Sequence, residues 1–423
     1  MSFRVGVSSA LGLAVMLAAS LASLVGCHRK PAGGEPVADA SPIRTPALPK
    51  EAVADAAHGK ELVLAYECNR CHDGAGHAAA PRGKHCVQCH ADILADRFDA
   101  PPATIARWKP RVKELALAPS LEATGKRLSR KWVEQYLLQP TDLRPDLVQS
   151  MPRLAMSSAD ARDLAAYLVP EDDGAGAVDL AGADLGKGRA LLDAKGCGSC
   201  HAFSGVASVQ NSPPPPMDGK AFERARTLAP DLRFTRDRMS ASKLVAWLRD
   251  PKGVKPDTPM PKIALTEPEV KDLAGYLMSA ELAAAPSPKT FERLPVLTRR
   301  VTFKEVDEKV FHRTCWHCHS EPDYAIGDGG PGNSGGFGFK PRGLNLSDYG
   351  GIAAGFLDDK GERTSVFTKD PEGLPRLVAA LVARHDEEGG IMGPVRGMPL
   401  GYPSLSAEDI QLVETWIAQG RPR

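Results

Sequence analysis

Residues 260–277 read MPKIALTEPEVKDLAGYL and residues 151–168 read MPRLAMSSADARDLAAYL, with eight identities in eighteen ungapped positions. Just after each Met-Pro pair stands a helix-start signal, Ser157-x-x-Asp160 or Thr266-x-x-Glu269, in which hydroxyl and carboxylate satisfy backbone N–H groups reciprocally. Ser406-x-x-Asp409 stands in the same relation to Met398-Pro399. Behind the signal, apolar residues recur at helical spacing, as Val270, Leu273, Ala274 and Leu277 do. The repeat extends upstream, where LAPSLEATGKRLSRKWVEQYLLQP (117–140) matches LAPDLRFTRDRMSASKLVAWLRDP (228–251) at a constant offset of 111. Pro119/Pro230, Leu121/Leu232, Leu137/Leu248 and Pro140/Pro251 are kept. Strand signals are sparse, so the chain reads as mainly α with an internal duplication.

Ahead of these segments lie four Cys-x-x-Cys-His pentads. They pair Cys68/Cys71 with His72, Cys86/Cys89 with His90, Cys197/Cys200 with His201, and Cys315/Cys318 with His319. On one helical turn, positions i, i+3 and i+4 project to one side. Two thiols can then form thioethers with the vinyl groups of a haem while the histidine reaches its iron, the attachment pattern of c-type haem. Zinc sites and thioredoxin-like dithiols also use Cys-x-x-Cys pairs. All four pairs here carry the histidine, and no βαβ alternation surrounds them. A haem iron takes a sixth ligand or keeps an open site, and methionine or histidine is the common choice. Met151-Pro152, Met260-Pro261 and Met398-Pro399 each lie well downstream of a pentad.

The order helix, pentad, Pro-Leu segment, helix, Met-Pro and closing helix resembles class I cytochromes c over residues 56–170, 186–283 and 300–423. The resemblance implies three tandem all-α haem domains, the first carrying two haem motifs, and four covalently attached haem c groups. It implies thioethers at Cys68, Cys71, Cys86, Cys89, Cys197, Cys200, Cys315 and Cys318. Proximal ligands would be His72 or His90, then His201 and His319, and distal ligands Met151, Met260 and Met398. Met156 and Met239 align with Leu265 and Leu128 and read as core. Met392 competes with Met398, which is preferred for its Met-Pro pairing and its distance from the closing helix. The third domain departs from the others in a glycine-rich stretch at 327–351, read as a structured loop or a close backbone approach to haem or partner.

The first domain has two pentads and one Met-Pro. Gly59 precedes Cys68 by nine residues, as Gly188 precedes Cys197, which favours the first pentad as the owner of Met151 and the second as an insertion. Against this, His90 stands 29 residues before Pro119, as His201 stands before Pro230. The remaining iron would take its ligand from His58, His77 or His85, with His77 the first choice for His90 and His85 closer to the first haem.

Residues 1–27 read as an export signal closing in Leu-Val-Gly-Cys, which resembles a bacterial lipobox and implies a lipid on Cys27; an uncleaved membrane helix is the alternative. A Pro-, Ala- and Gly-rich linker (28–55) follows, with further breaks at 171–186 and 283–290 and a proline run at 213–216. Net charge is +1, giving no field that points to nucleic acid. The cluster Arg224, Arg226, Arg233, Arg236 and Arg238 suits a redox partner, a solvated surface or haem propionates. The expected protein is a tethered tetrahaem cytochrome c on the periplasmic side of a bacterial membrane, with the outer membrane favoured. It would pass single electrons between a respiratory complex and a periplasmic or surface acceptor, as a non-catalytic carrier or electron-transfer subunit. The alternative is a haem oxidoreductase, a peroxidase or oxyanion dehydrogenase, with an open iron at His90.

Overall fold

The computed structural model describes residues 53–113, 117–170, 178–209, 216–321 and 331–423. The lipobox with Cys27, nearly all of the linker at 28–55, prolines 213–215 and the start of the glycine-rich stretch lie outside these. The chain is mainly helical. Its first part runs α1 (Ala56–Ala65), α2 (Cys86–Leu94), α3 (Pro102–Val112), α4 (Thr124–Arg127), α5 (Arg130–Leu138) and α6 (Ser158–Leu168). The second runs α7 (Leu185–Ala194), α8 (Gly219–Leu228), α9 (Thr235–Arg238), α10 (Ala241–Arg249), α11 (Pro251–Val254) and α12 (Glu267–Ser279). The third opens with α13 (Phe303–Val306), which continues as a π-helix through Asp307–Cys315. Then follow α14 (Pro331–Ser334), α15 (Tyr349–Ala354), a two-stranded hairpin, α16 (Arg376–Glu388) and α17 (Ala407–Ala418). In the hairpin, β1 (Phe356–Leu357) pairs antiparallel with β2 (Arg363–Thr364), Phe356 opposite Thr364.

The repeat seen in the sequence is built twice over in space. Asp55 caps α1 by accepting from the amides of Ala57 and His58, and Asp184 caps α7 by accepting from Lys187. Each opening helix packs on a closing helix, α1 on α6 and α7 on α12. The crossings run through glycine: a Cβ on Gly59 would stand 2.1 Å from the carbonyl oxygen of Asp163, and one on Gly188 would stand 2.2 Å from that of Asp272. Both closing helices carry complete capping boxes, Ser157 with Asp160 and Thr266 with Glu269. Apolar stripes behind them form two cores. One holds Leu62, Val63, Val133, Leu137, Leu164 and Val169; the other holds Leu192, Leu244, Leu248, Val270, Leu273 and Leu277.

The third core uses aromatic bulk instead. Trp416 on α17 is fully buried and meets Phe311 and Phe367 edge-on, with Phe303 tilted against it. A small satellite core of Ile93, Ile105 and Val112, with Phe98 and Trp108, holds the α2–α3 hairpin together.

These cores interlock. Between the first two, the amide of Ser129 donates to Arg238 (2.7 Å), Lys243 donates to the carbonyl of Leu128 (2.8 Å), and the amide of Asp231 donates to Leu143 (2.8 Å). Between first and third, buried Arg384 donates to the carbonyl of Gln149, and Arg153 pairs with buried Glu387 (3.4 Å). The described part of the glycine-rich stretch docks on the first pentad's helix. The amide of Phe337 donates to Glu67 (3.1 Å), and Gly338 at φ +78° lies where a Cβ would press 2.4 Å from the ring of Tyr66. Among the described residues, no helix is long and apolar enough to cross a membrane.

Candidate haem-attachment sites

Three pentads share one local geometry. In each, the histidine amide donates to the carbonyl of the first cysteine at 2.9 Å: His72 to Cys68, His201 to Cys197 and His319 to Cys315. In the first two, a residue in the left-handed region, Glu67 (φ 52°) or Gly196 (φ 72°), turns the chain out of the opening helix into a short 3-10 turn. The second pentad is built differently. It forms the first turns of α2, which His85 caps by accepting from the amide of Gln88 at Nδ1 (3.2 Å).

Histidine orientation follows from the Pro-Leu segments. His72 Nδ1 donates to the carbonyl of Pro119 at 2.7 Å, and His201 Nδ1 donates to that of Pro230 at 2.8 Å. Carbonyls only accept, so the proton sits on Nδ1 and the Nε2 lone pair is free to coordinate. Burial lowers the pKa of both rings, favouring the neutral form that binds metal. His319 Nδ1, by contrast, is buried without a hydrogen-bond partner, and the amide of Leu346 donates to the His319 carbonyl (2.6 Å). Gly332 lies against the His319 ring, where a Cβ would fall 2.5 Å from it. Burial holds His319 at about 4. His90 is also held at about 4, by burial and then by His317.

Two of the three methionines pack on the cores that carry their pentads, and Met260 meets Trp247. Met151 packs on the first core together with Cys68. The indole N–H of Trp247 donates to the sulfur of Met260 at 3.0 Å, and Tyr136 holds the aligned position in the first unit. Met398, rather than Met392, is among the residues packed on the third core with Cys315 and Trp316. Met239 is buried in the second core and Met156 packs against the first.

All eight pentad cysteines are half-buried free thiols. Burial pushes Cys68 and Cys197 up to about 11 and Cys315 to about 12. Cys86 moves the other way, to about 7, through its hydrogen bond with Cys71 and the neighbouring Arg70 guanidinium. The first two pentads therefore touch, sulfur to sulfur. On its other side the second pentad meets the third. The ring centroids of His90 and His317 are 6.4 Å apart, and those of His90 and Tyr402 6.1 Å. His317 lies inside the third pentad, Cys-Trp-His-Cys-His.

The spare histidines have other occupations. His58 Nδ1 pairs with Asp163 at 2.9 Å across the α1–α6 crossing. His77 Nε2 donates to the carbonyl of Lys60 on α1 at 2.9 Å. His85 is buried as the cap of α2, with Asp73 3.6 Å from its Nε2. The contacts of His90 are with Tyr402 and His317, residues that sequence reasoning passed over although one stands inside a pentad.

Two observations test whether these residues fit haem. No group of three or more His, Cys, Asp and Glu is placed to hold a metal ion among the described residues, whereas a four-coordinate zinc site gathers such a set. The thiols instead come as Cys-x-x-Cys pairs, each followed by its own histidine. Second, where the two repeats meet, the Nε atoms of Arg127 and Arg238 are buried without a hydrogen-bond partner. Burial, then Arg127, lowers Arg238 to about 10. Asp257 supplies one counter-charge to Arg127, and the two carboxylates that a haem carries would add anions beside the pair. The residues fit the group.

Residues 185–281 match the family model of cytochrome c, a span that starts at the first residue of α7 and closes just past α12. No curated protein and no solved structure matches the chain. The segment from Leu185 to Glu281 is thus a cytochrome c domain, which implies covalently bound haem c and electron transfer by its iron.

Proposed function

We propose that the chain is a tetrahaem cytochrome c, lipid-anchored through Cys27, that relays single electrons between a respiratory complex and a periplasmic or surface acceptor. The observation that carries this reading is the contiguity of three pentads: Cys71 touches Cys86, and His90 neighbours His317. Haem c, when bound, supplies reversible one-electron exchange at iron. The protein's part is to hold and tune. The eight cysteines attach, and His72, His90, His201 and His319 supply imidazole. Met151, Met260 and Met398 supply thioether sulfur. Arg127 and Arg238 neutralise propionates where the duplicated domains meet. The α2–α3 hairpin carries the added pentad and sets it between the first and third. Contact between attachment sites suits a relay, in which short separations matter more than access of a substrate.

The test is a reductive titration of the purified holoprotein, followed by mixing with an oxidised small cytochrome and, separately, with hydrogen peroxide. Uptake of four one-electron equivalents per chain, rapid re-oxidation by the cytochrome and no peroxide turnover support the relay. Catalytic peroxide consumption would replace it with the oxidoreductase reading.

A further inference from the structure

Resting on the four-haem reading, we infer that Tyr402, from the third domain, is the second axial ligand of the iron held by His90. Cys86, Cys89 and His90 lie on one face of α2, so the imidazole stands on the same side as the two attachment sulfurs. His90 Nδ1 is buried without a partner, and Nε2, the coordinating nitrogen, faces the phenolic oxygen of Tyr402 at 3.4 Å. That separation is long for a hydrogen bond. The two atoms thus face each other as a pair of donors that a metal could share.

The surroundings of the phenol agree. The phenol ring meets the His90 ring edge-on, with centroids 6.1 Å apart. Its backbone is firmly seated. Arg384, 1% exposed, donates to the Tyr402 carbonyl at 2.8 Å, and Ser404 is held by Glu388 through its amide and hydroxyl, both at 2.7 Å. A donor fixed this way is pre-positioned rather than recruited. Tyrosine is an established haem-iron ligand type. With haem held at this pentad, Tyr402 would offer its oxygen as the donor, giving up the phenol proton to solvent with no change of oxidation state. An anionic donor favours the ferric state, so this site holds the lowest potential of the four. His77, by contrast, spends its Nε2 on Lys60.

The experiment compares wild type, Tyr402→Phe and His317→Ala as ferric holoproteins, each first weighed to count haems. With four haems in each, Tyr402→Phe is expected to bind cyanide stoichiometrically at one iron, where wild type and His317→Ala bind none, and to raise the lowest potential. Cyanide binding unchanged in Tyr402→Phe, or opened by His317→Ala instead, overturns the inference while leaving the four-haem reading intact. Fewer than four haems on the wild type, with Cys86 and Cys89 unmodified, overturns both. Should Tyr402→Phe lose haem through misfolding, resonance Raman of the wild type decides. Phenolate modes that shift on ring-deuterated tyrosine support the ligation, and their absence overturns it.

Discussion

Gly188 and Asp272 approach so closely that a single added methyl has no room: the Cβ would stand 2.2 Å from the Asp272 carbonyl oxygen and 2.7 Å from the Cβ of Tyr276. Because the obstacle is helix backbone, α7 and α12 must separate to admit it. Overpacking of this kind costs about 1–3 kcal/mol, which outweighs the roughly 1 kcal/mol that alanine gains over glycine in helix propensity. Gly188→Ala is therefore expected to lower the thermal midpoint of the second domain. An unchanged or raised midpoint would show that the crossing is looser than described.

The His58–Asp163 pair gives the first domain a pH signature. The hydrogen bond to Asp163 raises His58 above its usual 6.5. Burial works to raise Asp163, and the bonds to His58 and to the Asp55 amide, with the charges of His58 and Arg162, together outweigh it, leaving its pKa below 3.8. The histidine's contribution is complete below about pH 6.5 and fades as pH rises through its raised value; the aspartate's is complete above about pH 3.8 and fades on acidification. His58→Gln should destabilise most near about pH 5.5 and least near about pH 9. Thermal melts at both pH values check this, and a gap that widens with pH contradicts it.

With Met260 as an iron ligand, as proposed, Trp247 would tune it: its N–H donates to the sulfur at 3.0 Å, which would weaken the sulfur's donation to ferric iron more than to ferrous. Trp247→Phe removes the donor and keeps an aromatic ring. The potential associated with His201 is expected to fall in a redox titration, with the others unmoved. A rise, or no change, would mean that the indole does not act on the ligand.

Much of this architecture was legible in the sequence because it is local. Capping boxes at Ser157 and Thr266 are four-residue signals, and the glycines nine residues before Cys68 and Cys197 mark helix crossings. The Pro-Leu spacing misleads. His90 lies 29 residues before Pro119, the spacing of His201 to Pro230, yet the ring that donates to Pro119 is His72, 47 residues away. The two pentads are themselves eighteen residues apart, which makes one spacing mimic the other. What the chain alone could not reveal is long-range. Tyr402 and His317 are 312 and 227 positions from His90, and no periodicity or propensity links residues across separate cores.

The central claim is that residues 67–90 bind two haems side by side, one belonging to the first cytochrome unit and one to the inserted hairpin. Mass spectrometry of a proteolytic fragment containing Cys68, Cys71, Cys86 and Cys89 tests it most directly. Two haem additions on that fragment, with all four cysteines consumed as thioethers, are the predicted result. One addition, a Cys71–Cys86 disulfide, or bound zinc without haem would contradict the account.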